Sequence, residues 1–205
     1  MEEQAYQSKK EARETRREEE REALRRKIFT RKVKKYAIAA IILAVLGYGA
    51  YFLFKNFAPD GEDFSVEIPL MDEKSHVAVG SLLPEYNSNP PTSGPHYSQT
   101  ARSGFRSETI PDQHIIHNLE HGDVWISFHP GVSEEIKKEL KQFAAAKVII
   151  TPRDANDTDI ALASWGRLDK FNIENGDLPV KRIRNFIKLH SNQGPEKIPG
   201  ASGGI

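Results

Sequence analysis

Residues 114–122 read HIIHNLEHG and place His114, His117, Glu120 and His121 within nine positions. Neutral imidazole is the commonest side-chain ligand for zinc and also serves copper and nickel, so metal binding is the first chemistry this run suggests. His117 and His121 are four apart, a spacing that keeps both rings on one face of a helix or of a strand. His114 joins them only on a helix, at i, i+3, i+7; Pro111 is placed to open such a helix and Gly122 to end it. Glu120 has three candidate roles: ligand, orienting partner of a ligand histidine, or general base on metal-bound water. HNLEH also fits H-x-x-E-H, the inverted zinc-protease motif. Those enzymes carry it within a long helix, whereas here a glycine and a run of β-formers follow at once. The plainer alternative is a set of histidines bonded to backbone at a helix–strand junction.

NPPTSGPH (89–96) is the second unusual stretch. Pro90, Pro91 and Pro95 fix φ, and Gly94 permits a left-handed turn. Such a loop holds Thr92, Ser93 and His96 at low entropic cost, as a site requires. Ser93 lacks the strand–turn–helix context of a hydrolase nucleophile. Six of the seven histidines lie between positions 76 and 129. The expected metal ligands are His96, His117 and His121, with His76 as a further candidate and Glu120 as second partner or proton acceptor. Three histidines and a water would leave an open site; four would close it. His129, before Pro130, reads as a surface residue. His190 reads as a cation at a helix C-terminus, Trp165 as core and Arg167 as an ion-pair partner.

The elements that must position these residues are less regular in the first half, where prolines recur up to residue 111. VWISFH (124–129), KVIITP (147–152) and DIALASWG (159–166) read as strands. SEEIKKELKQFAAA (133–146) reads as a helix capped by Ser133, and LPVKRIRNFIKLH (178–190) as a second, with Val180, Ile183 and Ile187 on one stripe. The expected fold class is α+β, a small mixed or antiparallel sheet with two helices.

The chain has 205 residues, 29 basic and 29 acidic, but the balance is uneven. Residues 1–35 carry 13 Lys/Arg and 8 Asp/Glu, a net +5, and the remainder carries 16 and 21, a net −5. That acidic remainder argues against nucleic acid as a partner. The absence of cysteine removes disulfides, thiolate zinc, iron–sulfur clusters and blue copper. Zinc and copper(II) remain as candidate ions.

YAIAAIILAVLGYGAYFLF (36–54) has no charge over 19 residues, enough for one hydrocarbon core. Basic residues crowd its amino side, while Lys55 is followed by Asp60, Glu62 and Asp63. The expectation is an uncleaved signal anchor with the N-terminus cytoplasmic and the rest outside. The expected organisation is a charged cytoplasmic helix (1–35), a transmembrane helix (36–54), a linker (55–63), an extracytoplasmic domain (64–192) and a disordered tail (193–205). The basic flank is expected to rest on anionic membrane lipid.

The order of these pieces carries a resemblance. His76, YNSNPPTSGPH (86–96), Gly104-Phe105, HNLEHG (117–122) and SWGR (164–167) resemble a prokaryotic family catalogued as domain of unknown function 3105, over roughly residues 74–195. The resemblance implies one N-terminal membrane anchor, an outside domain, and a shared site at His76, His96, His117, Glu120 and His121. His114 and His129 fall outside its motif positions. Phe105 departs from the tyrosine expected there, so any chemistry needing that hydroxyl is missing. The leading expectation is a membrane-anchored domain with a histidine-based divalent-metal site. The alternatives are a metal-free module that recognises a cell-envelope ligand or partner protein, and a metal-dependent hydrolase with Glu120 as base.

Overall fold

A computed structural model describes residues 2–57, 61–71 and 76–196. The chain divides into two compact units, Met1–Ala58 and Pro59–Ile205.

The first unit is one helix, α1 (Glu2–Phe57), 56 residues without a break. Its charged half is laced by i,i+4 pairs, Arg16 with Glu20 at 3.4 Å and Glu22 with Arg26 at 3.7 Å. Its apolar half is long and apolar enough to cross a membrane. Leu43, Val45 and Leu46 are exposed there, unlike the apolar residues of a soluble core helix.

The second unit is α+β. Its elements are β1 (Val66–Glu67), β2 (His76–Val77), β3 (His96–Tyr97), β4 (Gly104–Phe105), α2 (Asp112–Glu120), β5 (Val124–Phe128), α3 (Glu134–Leu140), β6 (Val148–Pro152), β7 (Ile160–Ser164), β8 (Arg167–Phe171) and α4 (Val180–His190). Six strands form a mixed sheet in the order β1-β8-β7-β5-β6-β4, and β2 pairs with β3 apart from it. β4, β5 and β6 are parallel; β7, β8 and β1 extend the sheet antiparallel.

The described residues of this unit hold three α-helices, where the sequence reading expected two. The additional one is α2. Its nine residues span barely two turns, too short for a periodic pattern to declare itself, yet Ile115, Ile116 and Leu119 are fully buried. α3 is shorter than the expected 133–146. Ser133 caps it as its sequence position suggests, its hydroxyl accepting from the Ile136 N–H at 3.3 Å. The helix then tightens into a 3₁₀ turn at Lys141–Phe143.

Alternation along the strands builds a core on each face of the sheet. Val124, Ile126, Phe128, Ile150 and Leu162 face Leu140 of α3 and Ile183 and Phe186 of α4. Trp125, Ile149, Ala161 and Ala163 face Ile115 and Leu119 of α2. The segment at 61–65 docks on α4: Asn185 donates to the Gly61 and Glu62 carbonyls, and His190 Nε2 lies 3.2 Å from Asp63. At the other end, the Asn192 N–H donates to the Gly122 carbonyl and the Glu196 N–H to that of Glu120. Residues 193–196 of the expected tail thus lie against the end of α2; 197–205 fall outside the described residues.

Candidate metal centre

α2 lies over the sheet and is fixed to β6 at both ends. At its start, Arg153, just past β6, forks onto Asp112 through Nε at 3.0 Å and Nη2 at 2.8 Å. At its finish, Lys147, just before β6, donates to the His121 carbonyl at 2.8 Å and stands 3.5 Å from Asp123. An acid at the helix start and a cation at its end also match the helix dipole. Burial pushes the Asp123 carboxyl above its usual range, against the pull of Asn118 and Lys147. Midway along α2, Asn118 accepts from the Ala101 N–H at 2.7 Å and donates to the Ala101 carbonyl at 3.0 Å.

The proline-rich loop is held as firmly. Arg153 Nη1 donates to Asn89 at 2.6 Å, so one guanidinium ties the loop's start to the start of α2. Tyr86 donates to the Pro95 carbonyl at 2.7 Å, and Ser93 accepts from the Met71 N–H at 3.1 Å. Gly94 sits at φ +116 with Met71 and Tyr86 packed where a Cβ would go. The loop ends in β3, whose first residue is His96. In the parallel pair with β2, His76 stands in register with His96, which puts both side chains on one face.

Four side chains from three separate segments then converge. His76, His96, His117 and Glu120 each offer a ligand atom, and these atoms all lie within 4.8 Å of one another. Ring centroids are 5.1 Å apart for His76 and His96, 4.6 Å for His76 and His117, and 5.0 Å for His96 and His117. His96, His117 and Glu120 are buried and His76 is exposed, so the group has one solvent side.

Hydrogen bonding sets the tautomer of His96. Its Nδ1 donates to the Gly94 carbonyl at 2.8 Å, so in the neutral ring the lone pair is on Nε2. That Nε2 lies 3.1 Å from Glu120 Oε2 yet forms no hydrogen bond with it. His117 Nδ1 is likewise buried without a hydrogen-bond partner. Burial, then the neighbouring imidazoles of His121, His96 and His76, push the His117 pKa down to about 4, so its ring is neutral at physiological pH.

His121 and His114 border this group without joining the four donors. His121 caps α2, 4.5 Å from His117 by ring centroid, with its Nε2 3.4 Å from Glu196. His114 is on the α2 helix but donates from Nδ1 to the Gln99 carbonyl at 2.7 Å and packs edge-on against Tyr97. Arg167 pairs with Glu67 at 3.1 Å. Sequence reasoning did not single out Asn118, Arg153 or Lys147. Asn118 lies inside the histidine run and Arg153 in the polar stretch after KVIITP, and an amide or guanidinium in those positions carries no signal of burial.

A family model matches residues 81–202, more than half of the chain. The chain belongs to the family described as protein of unknown function (DUF3105). The DUF3105 match takes in His96, His117, Glu120 and His121 and begins after His76. No curated protein and no solved structure matches the chain.

Proposed function

We propose that the second unit is an extracytoplasmic domain, anchored by α1, that binds one divalent metal ion through His76, His96, His117 and Glu120. The observation that carries this is the His96–Glu120 contact. In the neutral ring the Nε2 lone pair faces a buried carboxylate, a repulsive contact that a shared cation, proton or metal ion, relieves. His117, whose Nδ1 is buried without a hydrogen-bond partner, and the exposed His76 each bring a ring nitrogen within 4.8 Å of the other donors.

The donor set fits zinc or copper(II). It offers imidazole and carboxylate and no thiolate, which disfavours copper(I). Two ligands about 2.0–2.1 Å from a shared ion stand about 3.3 Å apart in a tetrahedron. The four donors, within 4.8 Å of one another, would draw together on binding. The Gly94 carbonyl holds the His96 ring and presents Nε2 to the ion. His121 stands outside the four donors, edge-on to His117 at 4.5 Å by ring centroid.

Four protein donors fill a tetrahedral sphere, which favours a binding or structural site. As a donor, Glu120 is not free to act as general base, so hydrolysis is the weaker reading. The basic amino flank of the apolar run supports a cytoplasmic N-terminus resting on anionic lipid. A cell-envelope ligand or partner protein would then meet the outer unit.

The test is elemental analysis of the purified full chain beside its His96→Ala and His117→Ala variants. One equivalent of zinc or copper in the wild type, lost in both variants, is expected. A metal-free wild type with no rise in melting temperature on adding either ion overturns the proposal.

A further inference from the structure

The three parallel strands deliver their last residues to one place. Phe105 ends β4, Phe128 ends β5 and Pro152 ends β6, and all three line a cleft of about 760 Å³. Phe128 belongs to the core shared with α3 and α4, and Phe105 packs against it. The cleft therefore lies on the opposite face of the sheet from α2. It also lies at the carboxyl ends of the strands, whereas the histidine group gathers ahead of β5. In open sheets with parallel strands, ligands settle in the crevice beyond the carboxyl ends.

The floor is apolar; Phe128 beneath it is only 2% exposed, so its accessible part is Phe105 with Pro130. Phe105 and Phe128 stack with centroids 5.9 Å apart and planes inclined by 13°. Pro130 and Pro152 also line the cleft, and proline brings no backbone N–H. The rim is cationic: Lys137, Lys138 and Lys141 stand over the floor, against a single acid, Glu134. Lys137 is already bound to Glu134 at 2.7 Å, which leaves Lys138 and Lys141 as the uncompensated pair. Lys141 Nζ lies 5.0 Å above the Phe105 ring, so the positive charge and the aromatic face act at one spot.

A lysine-rich helix face is ordinarily just solvated. Here two features argue otherwise. The lysines border a concavity with an aromatic floor, and they do so in a part of the chain whose net charge is negative. We infer that this cleft binds a small anion carrying a planar apolar group, such as an aromatic phosphate ester or carboxylate. The ring would pack against Phe105 and Pro130, and the anionic end would reach Lys138 and Lys141. This site is independent of the metal centre.

The probe is phenyl phosphate, titrated by calorimetry into the full chain in detergent with inorganic phosphate and phenol run in parallel. Phenyl phosphate is expected to bind saturably and more tightly than either half. The exposed pair Lys138→Glu/Lys141→Glu is expected to weaken it at least tenfold, and Phe105→Leu to bring its affinity down to that of inorganic phosphate. Melting temperature and metal content check that the variants remain folded. Binding of inorganic phosphate equal to that of phenyl phosphate would mean a lysine-held ion only and overturns the inference. So does the absence of saturable binding, or unchanged affinity in the folded double variant.

Discussion

His96 Nε2 and Glu120 Oε2 face each other at 3.1 Å, with the two side chains 0% and 4% exposed. Desolvation makes this contact costly in the absence of a cation, and the same desolvation strengthens it once a cation is present. Glu120→Gln keeps the volume and removes the charge. The metal-free variant is expected to melt at or above the wild-type temperature, while its affinity for zinc falls at least tenfold. A competition titration against a chromogenic chelator reads the affinity. Retention of wild-type zinc affinity by Glu120→Gln would remove Glu120 from the donor set.

His117 makes the metal-free protein acid-sensitive in a defined window. Its pKa falls from 6.5 to about 4 on folding, so the unfolded chain takes up a proton that the native chain refuses. Stability is full above about pH 6.5 and declines as pH falls towards 4, by on the order of 3 kcal/mol for this ring alone. Below 4 both states carry the proton and the contribution is flat. In chelator-treated protein, His117→Ala is expected to flatten the dependence of melting temperature on pH between 4 and 6.5. An unchanged slope would show that the ring is not held neutral by the fold. With zinc added the wild-type slope steepens, because protons and metal compete for the same lone pairs.

The central strands were legible because β5, β6 and β7 are continuous apolar runs buried on both faces, and α4 because its stripe is eleven residues long. β8 was not legible, since Arg167, Asp169 and Lys170 make RLDKF look exposed. Asp169 is nonetheless buried, because Arg182 of α4 forks onto it from beyond the strand. The β7–β8 turn is Trp165-Gly166, with Gly166 at φ +68, and tryptophan is not a usual hairpin signal. β1 to β4 have two residues each, too few to show any period. At the candidate site, spacing singled out His117, Glu120 and His121 as one local group. It could not tell that His121 would cap α2 and turn to Glu196, nor that His76 would be brought in by a parallel pairing with His96.

Arg153 is the joint between the two arms of the site, since it bonds both Asp112 at the head of α2 and Asn89 at the head of the proline-rich loop. Lysine keeps the charge but has no planar fork and satisfies only one of these partners. Arg153→Lys is expected to cost about 2–3 kcal/mol in chemical denaturation. It is also expected to weaken zinc binding, although Arg153 is not a ligand. Loss of stability with unaltered metal affinity would show that the clamp serves the fold alone.

Gly122 is confined from two directions. Its φ is +80, and a Cβ there would lie 2.7 Å from the Asn192 Cα, where the returning chain crosses the end of α2. Both strain and collision oppose a side chain, and the obstacle is backbone. Gly122→Ala is expected to lose about 2–4 kcal/mol and to displace residues 192–196 from α2. Hydrogen exchange at the Asn192 and Glu196 amides reads that displacement, since these two N–H groups bond the Gly122 and Glu120 carbonyls. Protection equal to wild type at both amides would mean that the chain accommodates the methyl without releasing the strap.

The absence of cysteine makes orientation directly measurable, because any thiol introduced is the sole label site. The run 36–54 has seven basic residues among positions 25–35 on one side and Lys55 followed by three acids on the other. Charge asymmetry of that size is expected to hold the amino side in the cytoplasm. Gln7→Cys and the exposed Glu85→Cys place one thiol in each unit. In intact cells a membrane-impermeant maleimide is expected to label Glu85→Cys and to spare Gln7→Cys until the membrane is opened. The reverse pattern would put the histidine group in the cytoplasm, and equal labelling of both would argue against a spanning helix. Replacing Arg25, Arg26, Lys27, Arg31, Lys32, Lys34 and Lys35 by glutamine is expected to erode the bias, since those residues supply it.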